Sequence, residues 1–178
     1  MMRWSLLLFL LFLGLFSSAQ YPFVRSFEVR AGQQRPKIHA VAQDAQGSIW
    51  LAADIGLIRS DLELTNVVLL ARKSSVTAIG SRGNEVYSAW SDGTIVRCSG
   101  TRCDTLFTDT LLIHSPVKAL VRDGVGGLWI GTYGAGVIHF AEGRIKRFGM
   151  AEGLNDDHVN ALCLVDEAQV AVATDQGV

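Results

Sequence analysis

The sequence has no surplus charge of either sign: 16 Lys and Arg stand against 17 Asp and Glu, a formal net charge of −1 in 178 residues. Without a basic excess there is little to neutralise a phosphate backbone, which argues against nucleic acid as a partner. Only three prolines are present against 18 glycines, so the chain is turn-rich and has neither a Pro-rich linker nor a collagen-like period. Three cysteines, with no histidine or third thiol at ligand spacing, speak against a metal centre. The four histidines, His39, His114, His139 and His158, form no HExxH or other paired-ligand spacing. The glycine clusters around Gly124 and Gly131 lack the Gly-Lys-Ser/Thr ending of a phosphate loop, and Asp44 and Asp123 open no alternating run of oxygen ligands for calcium. No catalytic residue, cofactor or metal is therefore expected. A hydrophobic content of 49% excludes a disordered chain.

One long apolar run is present, Leu6 to Phe16, preceded by Arg3 and followed by Ser17-Ser18-Ala19. It falls short of the roughly 20 residues needed to span about 30 Å of hydrocarbon. A basic head, a short apolar stretch and small residues before Gln20 read as a signal peptide over residues 1–19, cleaved after Ala19. Gln20 stands where a lipid anchor would require cysteine. Cleavage removes Arg3 and no acid, leaving a weakly acidic exported domain over 20–178.

That domain repeats itself. Ile38-His39-Ala40-Val41, Val76-Thr77-Ala78-Ile79, Val117-Lys118-Ala119-Leu120 and Val159-Asn160-Ala161-Leu162 share the order β-branched, polar, Ala, aliphatic, at a spacing of about forty residues. Each is followed by a second apolar pair, Ile49-Trp50, Val86-Tyr87, Leu128-Trp129 and Val170-Ala171, and then by Gly56, Gly93, Gly136 or Gly177. Short alternating segments rich in β-branched and aromatic residues and punctuated by glycine predict strands. In the first copy these are Ile38 to Gln43, Ser48 to Ala53, Gly56 to Ser60 and Leu64 to Leu70, with Asp44-Ala45-Gln46-Gly47 as a turn. Four antiparallel strands in about forty residues are the unit of a β-propeller blade. The alanines would suit crowded inner strands, and Trp50, Tyr87 and Trp129 would fill the space between blades. Val178 falls where the third strand of the fourth copy is due, so the expected fold is an incomplete all-β propeller of about three and a half blades. It would be the start of a longer protein or the product of a broken reading frame. Ser26-Phe27-Glu28-Val29 would be an outer strand of the ring's last blade.

The stretch Asp123-Gly124-Val125-Gly126-Gly127-Leu128-Trp129-Ile130-Gly131-Thr132-Tyr133-Gly134-Ala135-Gly136-Val137 resembles the two-component regulator propeller repeat, as does the linker Glu152-Gly153-Leu154-Asn155-Asp156-Asp157-His158-Val159. Asp44 to Leu57 matches with Ala52-Ala53 in place of Gly-Thr; the second copy lacks the Asp turn and the Trp, and the fourth has Ala171 for Trp. The resemblance implies the periplasmic sensing region of a hybrid two-component system. Further blades, downstream domains, a membrane anchor and a histidine kinase would lie elsewhere in the protein, and a homodimer would carry the signal.

Ligands of propellers commonly meet the loops at one end of the ring. The loops after the second strands supply Asp54, Asp92, Tyr133 and Asp175, with Trp90 close by, and His158 lies in the linker between blades. Carboxylates beside aromatic rings suit a sugar, through stacking and hydrogen bonding. Trp90 has inter-blade packing as its competing role, and His158 a solvated acidic turn. Cys98 and Cys103 flank a hairpin turn and would form a disulfide in an oxidising compartment, or remain two reduced thiols on opposite faces. Cys163 reads as a buried small apolar residue. The expected function is an exported sensor of a small molecule or oligosaccharide. The alternatives are an envelope-assembly propeller that binds proteins, or part of a polysaccharide-active enzyme.

Overall fold

The computed structural model describes residues 26, 28–29, 35–62, 68–71 and 74–178. Three four-stranded antiparallel sheets and one two-stranded sheet follow one another along the chain. The first comprises β1 (Ile38–Gln43), β2 (Ile49–Ala53), β3 (Gly56–Ser60) and β4 (Val68–Ala71). The second holds β5 (Val76–Arg82), β6 (Glu85–Trp90), β7 (Thr94–Ser99) and β8 (Arg102–Thr108), and a single helical turn α1 (Leu111–His114) leads onward. The third holds β9 (Val117–Arg122), β10 (Leu128–Thr132), β11 (Val137–Ala141) and β12 (Arg144–Phe148); β13 (Val159–Leu164) and β14 (Val170–Thr174) make the last. In every sheet the strands pair in chain order, and the first strands β1, β5, β9 and β13 lie side by side. These are propeller blades, three complete and one half. Ser48 falls outside β2 because its N–H is taken by the Asp44 carboxylate at 2.9 Å. The expected signal peptide over residues 1–19, and residues 63–67 of the expected fourth strand, lie outside the described residues. Ser26, Glu28 and Val29 form no strand, and the last blade of the ring, with which they are expected to pair, is not among the described residues; Val29 packs on Leu51, Ala53 and Ile58.

The turn between the first and second strands shows why the Asp and Trp of the repeat belong together. Asp44 Oδ1 accepts the N–H of Gln46 at 3.0 Å and of Ser48, while Oδ2 accepts the indole N–H of Trp50 at 2.8 Å. Asp123 repeats this with Val125, Gly127 and Trp129. One buried carboxylate thus closes the hairpin and satisfies an indole that burial would otherwise leave unpaired. The second blade substitutes a two-residue hairpin at Gly83-Asn84 and a Tyr87 hydroxyl that donates to Glu85. Burial first, then that hydrogen bond, pushes the Tyr87 pKa up to about 12. In the last sheet Val165 takes the place of the Asp, and Asp166, one residue later, accepts from the N–H groups of Ala168 and Gln169, both at 2.8 Å.

Blade stacks on blade through small residues that receive large ones. Ala78, Tyr87 and Ala89 of the second blade meet Leu120, Leu128, Ile130 and Ile138 of the third. Trp50, Ala52 and Leu57 of the first meet Val86, Val96 and Cys98 of the second. Gly80 and Gly131 mark the closest approaches: a Cβ on Gly80 would lie 2.3 Å from the Leu120 carbonyl oxygen, and one on Gly131 2.7 Å from Val159. Trp50 and Tyr87 fill the space between blades as expected, whereas Trp129 is half-buried and stacks within its own blade on His139, ring centroids 4.1 Å apart. Hydrogen bonds join the turns of neighbouring blades, from Ala45 N–H to the Gly83 carbonyl and from Gly124 N–H to the Glu167 carbonyl, both 2.8 Å. Cys163, expected inside, is exposed. It shares its face with Ala161, Ala171 and Ala173, and no described sheet is stacked there. Cys98 and Cys103 are cross-strand partners of β7 and β8, 4.0 Å apart at Cα, and their sulfurs are bonded.

Burial pushes the Asp44 and Asp123 pKa values upward, but their hydrogen bonds outweigh it and hold both carboxyls below 3.8. Their stabilisation is complete above about pH 4, the unfolded value, and is lost as pH falls through the lowered folded value. Asp123→Asn is expected to cost about 2 kcal/mol at neutral pH and to flatten the acid loss of stability in urea unfolding; an unchanged acid profile would contradict the assignment. Replacing Cys98 and Cys103 together by alanine removes a short loop closure worth about 2 kcal/mol. The urea midpoint of the wild type should fall toward that of the double variant on reduction, and an insensitive midpoint would show that the thiols are not bonded.

Candidate functional site

The polar residue of the repeat motif is the extra residue of a β-bulge. Ile38 pairs with Ala53 and Ala40 with Ala52, leaving His39 without a partner across the ladder. The same slip isolates Thr77, Lys118 and Asn160 in the other three sheets. A bulge bends the strand and re-aims the inserted side chain. Opposite it, just past the second strand of each blade, a backbone N–H closes back on the residue preceding the first strand or its immediate neighbour in the linker. Asp54 donates to Lys37, Ser91 to Ser75, Tyr133 to Pro116 and Asp175 to His158, at 2.9–3.2 Å. Asp54, Ser91, Tyr133 and Asp175 therefore occupy one equivalent position, at the end of each blade where the bulge lies.

Across the junction of the third and fourth sheets these positions converge. Tyr133 and His158 form an isolated antiparallel bridge, and their rings meet edge to face with centroids 4.6 Å apart. The Tyr133 hydroxyl lies 3.4 Å from Asp175 Oδ2, and Asn160 Nδ2 donates to Asp175 Oδ1 at 2.6 Å. The Lys118 ammonium sits 5.3 Å from the centre of the Tyr133 ring. His158 Nδ1 is 2.7 Å from Asp156 Oδ1, which also accepts the His158 backbone N–H at 2.8 Å. The backbone bond and then the ring bond from His158 hold the Asp156 carboxyl below the usual aspartate value. Gly134 and Gly136 both donate to the Asp157 carbonyl, at 3.0 and 2.9 Å, fixing the Tyr133 loop on the linker. Tyr133 remains 41% exposed, so its ring is open to a ligand. The set offers an aromatic surface, an ammonium, an amide and carboxylates, the groups that bind a polyhydroxylated molecule.

Three of the six ligand candidates, Tyr133, Asp175 and His158, thus come together. Asp54 and Asp92 are exposed on the first and second blades, and each bonds within its own blade: Asp54 to the Lys37 N–H at 3.0 Å, and Asp92 to the Ser74 hydroxyl at 2.9 Å and the Thr94 N–H at 3.0 Å. Trp90 takes its competing role instead of a place at the rim: it is 2% exposed, packs in the core between the first two blades and donates its indole N–H to Ser88 Oγ at 3.0 Å. Lys118 and Asn160 were not among the sequence candidates. Both stand at the polar position of the repeat, which a strand reading leaves simply as solvent-facing. Among the described residues no group of three His, Cys, Asp or Glu side chains is placed to hold a metal ion, and no helix is long and apolar enough to cross a membrane.

Inner strands side by side and four-stranded antiparallel sheets paired in chain order define a β-propeller. Residues 111–134, from α1 through the Tyr133 loop, match the family model described as two component regulator propeller. The chain carries the repeat of that family. No curated protein matches it in sequence. Among solved structures it is similar to the extracellular domain of the hybrid two-component system BT4673 from B. thetaiotaomicron, with a TM-score of 0.65 and 14% identity over 79% of this chain and 20% of that one. The extracellular domain of BT3049 from the same organism gives 0.58 and 18% over 75% and 20%. PorZ of Porphyromonas gingivalis, a surface component of its type-IX secretion system, gives 0.52 and 16% over 79% and 19%. At these identities the likeness establishes the fold, and the chain spans about a fifth of the length of each.

The geometry at His158 is open to direct measurement. The Asp156 carboxyl is expected to titrate below 3.8 when followed by carbon NMR. A value at or above 3.8 would show that the two bonds from His158 do not persist in solution.

Proposed function

We propose that these blades belong to the exported, ligand-sensing propeller of a two-component regulator, and that the ligand is a glycan-derived molecule. The observation that carries this reading is the convergence of Tyr133, His158, Asn160 and Asp175 across a blade junction, on the family's own repeat. An exposed ring beside hydrogen-bonding groups already held in place binds a sugar with little reorganisation. The export leader read from the sequence, and the extracellular domains among the similar structures, support a location outside the cytoplasm. The small-residue face of β13 and β14 suits a further blade, supplied by the rest of the protein, with the ring completed by several more.

In this reading the site is non-catalytic and acts by population shift. Ligand that bridges two blades favours one arrangement of propeller and following domains in a dimer, and that preference is transmitted through an anchor in the inner membrane. The similarity to PorZ supports a second reading, a protein-binding surface in envelope assembly. Calorimetry on the complete exported region against a panel of oligosaccharides separates the two. Saccharide binding is expected, and Tyr133→Ala should weaken it about tenfold, equivalent to about 1.4 kcal/mol. Absence of saccharide affinity, together with capture of an envelope protein that Tyr133→Ala abolishes, would favour the second reading.

A further inference from the structure

The charges of the cluster are not equally engaged. Asp175 uses one carboxylate oxygen on Asn160 and the other on the Tyr133 hydroxyl. Asp156 is occupied twice by His158, and Asp157 Oδ1 accepts the Met150 N–H at 2.9 Å. Lys118 is different. As the inserted residue of the β9 bulge it stands exposed at the rim, and its ammonium rests on the Tyr133 ring without an ion pair to any described residue. It is also the only permanently charged side chain among the four bulge residues His39, Thr77, Lys118 and Asn160. Exposed cation–π contact is worth only about 0.5–1 kcal/mol. That is enough to hold the ammonium over the ring and too little to replace a carboxylate partner.

We infer that the saccharide taken here is acidic: a uronate unit whose carboxylate pairs with the Lys118 ammonium above Tyr133, while Asn160 and Asp175 meet its hydroxyls. This rests on the glycan-sensing reading and adds the chemical class of the ligand. Both oxygens of Asp175 and Oδ1 of Asp156 already accept hydrogen bonds, which leaves the Lys118 ammonium, without an ion pair to any described residue, as the group that meets the carboxylate of the ligand. The hydroxyls of a uronate would then compete for the Tyr133–Asp175 contact, which at 3.4 Å is the longest polar contact of the cluster.

The test is calorimetry on the full-length protein with glucuronate, galacturonate and mannuronate oligosaccharides, each beside its carboxyl-reduced counterpart. At least one acidic oligosaccharide should bind, with its reduced form about tenfold weaker. Lys118→Met should remove that preference, so that acidic and reduced forms bind with similar affinity, and Lys118→Arg should keep most of it; an unchanged melting temperature confirms that the variants fold. Reduced and acidic forms binding alike, or a preference that survives Lys118→Met, would overturn the acidic assignment and leave glycan sensing standing. No binding by any oligosaccharide, acidic or neutral, would overturn both.

Discussion

A blade of four short strands has two apolar faces and can shield neither alone, so every other feature of this chain answers to the need to stack one sheet on the next. The solution is the same at each junction. Alanine, glycine or a ring on the forward face of one blade receives the aliphatic side chains of the blade that follows, as Ala78 and Tyr87 receive Leu120 and Ile130. At Gly80 the fit is close enough that a single added carbon would meet the neighbouring backbone. Interiors packed at this density tolerate little change in volume. The repeat is therefore most regular where strands face strands.

The legibility of the sequence follows from this. β1 and β3 appear with the bounds that alternation and glycine predict, and the aromatic residues of β2 and β6 lie between blades. What periodicity could not show was any property set by a particular neighbour. Trp129 occupies the same place as Trp50, yet His139 opposite it on β11 draws it into stacking within its own blade. Trp90, one residue before the loop that carries Asp92, reads as a rim aromatic; it closes β6 on the same face as Val86 and Ser88 and is buried with Val86 between the first two blades. Cys163 sits in an apolar run and is nevertheless exposed, because burial there requires a sheet on its far side.

The candidate site was legible in part for the same reason. Tyr133, His158 and Asp175 could be picked out as loop and linker residues, but they are far apart in the chain, and no spacing rule brings Asp175 to Tyr133. Their meeting depends on the stacking of the third and fourth sheets and on the bonds from Gly134 and Gly136 to the Asp157 carbonyl. Lys118 and Asn160 were visible as the polar member of a four-letter motif. Only the register slip opposite them shows that they are bulged residues set beside the Tyr133 and Asp175 loops.

The bulge reconciles two demands that the strands would otherwise place in conflict. An inner strand must present small apolar residues to its neighbours, while a binding rim needs polar side chains close to the axis. Inserting one residue before the alanine lets the ladder resume in register and frees one side chain per blade from packing. That position is then free to vary as His39, Thr77, Lys118 and Asn160 do, while the alanine beside it repeats in every copy. Variation confined to an unpaired position and uniformity at the packed one are what a scaffold with an adjustable rim requires. The chemistry of the rim can differ from blade to blade at little cost to the stacking that holds it in place.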